Sequence, residues 1–78
     1  MPKLPVLPAK VVLQLLLKYG CDLKSVKGSH HNLINPKNNK SSTIPVHGNR
    51  DLDKPFFADI LNQLGIDIDE FLEFIENN

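Results

Sequence analysis

Apolar residues recur at helical spacing across residues 9–17. Ala9, Val12 and Leu16 form one row, and Val11, Leu13, Leu15 and Leu17 flank it. The run is apolar on nearly every side, so periodicity alone does not separate helix from strand. Its punctuation does. Pro8 suits the first position of a helix, where a missing N–H leaves no bond unmade. Gly20 suits the position just past the last turn. The stretch before it, residues 1–7 with Pro2 and Pro5, reads as an extended lead-in. Residues 21–27 lack strict alternation and give a weak strand signal. Gly28 predicts a tight turn and residues 30–35 a second strand. The turn formers Asn35, Pro36, Asn38 and Asn39 lead to a third strand over residues 41–46. Pro45 has no N–H for a ladder, which places it at a strand end or on an edge.

A second helix is predicted to start near Asp53 or Lys54, with Pro55 in its first turn. Phe57, Ile60, Leu61 and Leu64 make its apolar stripe, and Gly65 stops it. A third helix announces itself by its cap. Asp67 and Glu70 stand in the N-cap and N3 positions of a capping box, and Ile66 and Phe71 are spaced for the hydrophobic staple. Phe71, Leu72, Phe74 and Ile75 are the residues of this helix that pack inward. The order is helix, three strands, helix, helix, an α+β pattern over a single domain of residues 1–78, with no repeat and no low-complexity segment.

Composition narrows the function classes. A chain of 78 residues buries only about 60–65% of its unfolded surface, and it has no room for a large cofactor-binding fold. Its one cysteine, Cys21, has no partner for an internal disulfide, which fits a reducing cytoplasm. The longest apolar run, residues 11–17, is far shorter than the roughly 20 residues that span a bilayer. No basic, apolar and small-residue succession marks a signal peptide. The expectation is a cytoplasmic protein without a membrane segment. Net charge is zero, yet it is unevenly spread. Residues 1–54 hold all nine Lys and Arg against three acids, and residues 55–78 hold six acids and no base. The first part is thus +6 and the tail −6. A basic surface of this kind binds RNA phosphates through counterion release, and a solvated dipolar surface is the plainer alternative.

Candidate chemistry concentrates at Lys27-Gly28-Ser29-His30-His31 and at Ile44-Pro45-Val46-His47. Histidine is the side chain whose unperturbed pKa, about 6.5, lets it take and give protons near neutral pH. Lysines beside it favour a polyanion, so acid–base chemistry on a phosphodiester is the first hypothesis. The alternative for His30 is a histidine on a strand surface. His31 follows directly, so on a strand it points to the other face and reads as a partly buried or structural residue. Both together do not easily serve one phosphate or one metal. No cysteine or carboxylate stands at ligand spacing, so no metal and no cofactor are expected. His47 either contacts a phosphate or is a plain loop histidine. Lys24, Lys27, Lys37, Lys40 and Arg50 are the candidate contacts to an RNA backbone, with Lys27 singled out by its place beside the motif. Ser29 hydrogen-bonds a phosphate or shapes the turn. Phe57 reads as core, Phe56 is undecided between core and a base-stacking position, and Cys21 reads as a small core residue.

In order along the chain, Pro2-Lys3-Leu4-Pro5-Val6, Tyr19-Gly20, Lys27-Gly28-Ser29-His30-His31, Pro36 in a turn, Ile44-Pro45-Val46-His47-Gly48, and residues 60–66 form a set. With that set the chain resembles the HicA toxins, the YcfA-like mRNA interferases of type II toxin–antitoxin systems. The resemblance implies a fold like a double-stranded RNA-binding domain, α-β-β-β-α with a three-stranded antiparallel sheet packed against helices. It also implies an endoribonuclease that cuts mRNA and a HicB-like antitoxin that blocks it. The catalytic histidine of the family's Gly-Ser-His motif falls on His30, and in members that place it one residue later, on His31. The chain departs from the pattern at Pro55-Phe56, where members usually have Gly-Thr, and in its neutral rather than basic net charge. The competing classes are a non-catalytic RNA-binding domain of the same shape, such as a decayed toxin, and a protein-interaction module.

Overall fold

The computed structural model describes residues 4–77, so the first three residues of the expected lead-in lie outside the described residues. The elements are β1 (Leu7–Pro8), α1 (Ala9–Tyr19), β2 (Asp22–Lys27), β3 (His30–Asn35), β4 (Lys40–Pro45), β5 (Asp51–Leu52), α2 (Lys54–Gln63) and α3 (Ile68–Glu76). The main sheet has the order β2-β3-β4 and is antiparallel throughout. This is the α+β architecture and the helix–three strands–helix–helix order that the sequence predicts. A second, two-stranded sheet pairs β1 with β5. Its strands hold two residues each, too short for any alternation to show in the sequence.

Pro8 sits one residue earlier than expected. It is the N-cap of α1 and the last residue of β1, opposite Asp51. The cap has no side chain to offer, and the Arg50 carbonyl instead accepts the Ala9 N–H at 3.0 Å. The other end follows expectation, with Gly20 at φ 130, a backbone value that glycine takes without a Cβ penalty. β2 shows no clean alternation because it is bulged. Leu23 faces Leu33 and Ser25 faces Asn32, which leaves Lys24 as the extra residue. β4 runs one residue earlier at each end than residues 41–46. Pro45 is its last residue on an edge strand, where the missing N–H costs no ladder bond.

The core sits between one face of the sheet and the three helices. Val12 and Leu16 of α1, Leu33 of β3, Ile44 of β4, Phe57, Ile60, Leu61 and Leu64 from α2 and its end, and Phe71 of α3 are fully buried. Cys21 is buried with them, and burial, with Asp22 adding to it, pushes its thiol pKa up. The helices cover β3 and β4 and leave β2 open, so all of β2 is exposed, including Leu23 and Val26. α2 begins on Asp53, whose carboxylate accepts the Phe56 N–H at 2.9 Å, and Pro55 occupies its first turn. α3 begins on Asp67, which accepts the Glu70 N–H at 3.1 Å. Ile66 and Phe71 are both buried, as the staple requires.

Candidate active site

The site is built on the β2–β3 hairpin. Lys27 pairs with His30 across it, leaving a two-residue loop, Gly28-Ser29. Gly28 has φ 58, and Ser29 is not among the described residues of positive φ. Positive φ at the first central position alone is the pattern of a type II′ turn, which takes glycine there. The turn fixes where the two histidines point. Leu33 and Asn35 are buried, so the odd-numbered positions of β3 face the helices. His31 shares that face, lies opposite Val26 and Ile44, and is half-buried. His30 lies opposite Lys27 and Pro45 on the solvent face and is exposed.

Ser29 ties the histidines of the two motifs together. Its Oγ lies 3.3 Å from His47 Nε2, and its carbonyl oxygen lies 3.1 Å from His31 Nδ1. A carbonyl only accepts, so His31 carries its proton on Nδ1 and, when neutral, a lone pair on Nε2. The same carbonyl accepts the Val46 N–H at 2.8 Å. That bond extends the β3–β4 pairing beyond Pro45 and brings His47 to the hairpin. Arg50 follows in the same loop, its N–H donating to the His47 carbonyl at 3.1 Å. One end of the sheet therefore gathers Lys27, Ser29, His30, His31, His47 and Arg50.

Three predicted contacts are not brought there. Lys37 and Lys40 flank the β3–β4 turn, at the far end of a strand that is about 16 Å long at 3.3 Å per residue. Lys24 occupies the bulge of β2, between the two ends. Near Lys37 lies an open concavity of about 460 Å³, lined also by Tyr19, Glu70, Glu73, Phe74 and Asn77. Its carboxylates suit no phosphate, and it stands away from the histidines. Phe57 is buried and Phe56 is 38% exposed, which decides the first for the core and puts the second at the surface. Among the described residues, no group of three or more His, Cys, Asp and Glu is placed to hold a metal ion, and no helix is long and apolar enough to cross a membrane.

The order of elements and the placing of both histidine motifs on one hairpin end meet a sequence match. The family model described as the HicA toxin of bacterial toxin–antitoxin systems matches residues 9–66 of the 78. The chain belongs to the HicA toxin family. The matched span runs from the first residue of α1 to Ile66, the residue before the α3 cap, and includes every residue gathered at the hairpin end. Comparison with curated proteins found no match. As a HicA-family toxin, the protein is one half of a toxin–antitoxin pair, and the family implies an antitoxin as its partner.

Proposed function

We propose that this HicA-family toxin is an endoribonuclease that cuts mRNA in the cytoplasm with His30 as general acid–base, and that a HicB-like antitoxin silences it by covering the same end of the sheet. One observation carries the reading: His30 is exposed on the solvent face and directly paired with Lys27, within a fold and motif that the family match covers. RNA brings its own nucleophile. His30 takes the 2′-OH proton as that oxygen attacks phosphorus. The P–O5′ bond breaks, the 5′-oxygen takes a proton from water while the His30 imidazolium gives its own back to solvent, and the products are a 2′,3′-cyclic phosphate and a 5′-hydroxyl. No metal or cofactor enters this scheme. A proton carrier in this role contributes about 10²–10⁴-fold. Lys27 supplies positive charge where the phosphorane oxygens become more negative. His47, held toward the hairpin by Ser29, and Arg50 are the further phosphate contacts at this end. Lys24, Lys37 and Lys40 serve a longer RNA as it runs across the sheet.

The test is cleavage of a long unstructured RNA by purified His30→Ala, with circular dichroism as the folding control. An exposed strand histidine adds little to the core, so the variant is expected to fold and to lose about 10²-fold or more of its activity. A folded His30→Ala protein that cuts at the parent rate contradicts the assignment and moves it to His31. An RNA that the parent protein binds and never cuts favours the non-catalytic alternative.

A further inference from the structure

Beyond His30, the solvent face of the sheet carries a cross-strand row that the cleavage chemistry does not use. Asn32 is two residues further along β3, on the same face as His30 and about 7 Å away along the strand. It lies opposite Ser25 on β2 and Thr43 on β4. Its Nδ2 donates to Ser25 Oγ at 2.8 Å, and its Oδ1 accepts from Thr43 Oγ1. The bulge at Lys24 is what turns Ser25 to this face. Without the extra residue, Ser25 would take the opposite side, as alternation after Leu23 requires.

A carboxamide has two N–H donors and two acceptor lone pairs. Asn32 directs one of each sideways, to the flanking strands. The remaining N–H and lone pair lie side by side on the outer edge of the group, away from the sheet. The amide is therefore pinned at both ends and presents a donor next to an acceptor. The row Ser25, Asn32, Thr43 is itself uncharged and carries no ring. It offers no stacking platform and no phosphate clamp. What it fits is the edge of a planar group with an acceptor beside a donor, and the nucleobases carry such pairs at different positions on their edges. An asparagine amide read in this bidentate way discriminates between bases, whereas phosphate contacts position without reading.

We propose that Asn32, held by Ser25 and Thr43, reads the base beside the phosphodiester cut at His30 and so sets where the RNA is cleaved. The proposal rests on the ribonuclease reading above, and its test separates the two. The 5′ ends produced from one long unstructured RNA are mapped for the parent protein and for Asn32→Leu and Asn32→Asp, each distribution normalised to its own total. Asn32→Leu is expected to flatten the base preference next to the cut by about tenfold or more. Asn32→Asp replaces the donor with an acceptor, and cutting is expected to move toward guanine, the one base with two adjacent donors at N1 and N2. Ser25→Ala with Thr43→Val frees the amide and is expected to blunt the preference without redirecting it. Asn32 variants that still cut, beside a His30→Ala protein that does not, separate the reading from the chemistry. If the parent protein binds RNA without cutting it, the same variants are compared by their affinities for oligo-A, oligo-C and oligo-U. A parent-like distribution, or parent-like relative affinities, in a folded Asn32→Leu protein overturns the proposal.

Discussion

Asn35 closes the far end of the strand that His30 begins. It is 8% exposed, and a buried amide costs stability unless its atoms are bonded. Its Nδ2 donates to the Leu64 carbonyl at 2.9 Å, and its Oδ1 accepts the Lys37 N–H at 3.2 Å. Asn38 donates to the same Leu64 carbonyl at 3.1 Å. Two asparagines of one turn thus cap the C-terminal end of α2, where helix carbonyls otherwise lack partners. Gly65 follows with φ 68, and a Cβ there would collide with the Asn38 amide. Asn35→Leu should cost about 1–3 kcal/mol, read as a lower melting temperature with the circular dichroism spectrum unchanged below the transition. In the sequence Asn35 reads only as a turn former. Its bond to a carbonyl 29 residues away has no local signature. The opposite faces of His30 and His31, by contrast, are legible, because the period of a strand is two and Leu33 settles which side is inner.

At the scale of the element, α3 shows how far local rules reach. Asp67 caps it as the sequence predicts, and the staple from Ile66 to Phe71 is buried. Replacing Asp67 with Ala should cost about 0.5–2 kcal/mol, measured as a lower denaturant midpoint at constant slope. The reciprocal arm of the capping box is put to a different use. The Glu70 carboxylate accepts from the Tyr19 hydroxyl at 3.4 Å, since packing brings Tyr19 edge-on to Phe71 and Phe74 at centroid distances of 5.2 and 5.1 Å. Burial, and then the nearby Glu70 charge, raise the Tyr19 pKa. Long-range contact thus overrides the box where local geometry permits both. The same holds for β2. Its weak signal reflects the Lys24 bulge and an inner face that the helices leave open.

On the scale of the whole molecule, the candidate site and the carboxylates of α3 fall at different ends. The carboxylates Glu70 and Glu73 border the concavity by Lys37, while Lys27, His30, His47 and Arg50 gather at the β2–β3 end. The basic end is free of that acidic surface, so RNA should bind there mainly through phosphates. With about three phosphate contacts to a single strand, log K should fall with log salt at a slope of about −2. The measurement is a titration of labelled RNA onto His30→Ala protein at several salt concentrations, and a flat response contradicts a basic interface. If RNA and antitoxin share this end, as proposed, adding the antitoxin to the same mixture should displace the RNA. A stable complex of toxin, antitoxin and RNA would show that inhibition works elsewhere.

The sequence by itself determined the three helices, the three strands of the main sheet, their order, the two helix caps, the glycine turn and the apolar stripes of the helices, because each follows from interactions within a few positions along the chain. It also placed Lys27, Ser29 and His30 in one motif. What only the tertiary structure decided is which distant residues join them. The antiparallel register brings His47 to Ser29 and leaves Lys37 and Lys40 at the other end. The bulge turns Ser25 beside Asn32, and pairing of residues 7–8 with residues 51–52 carries the Arg50 carbonyl to the start of α1. Register and bulge depend on pairing between strands, and a chain read one position at a time does not encode which partner each position will meet.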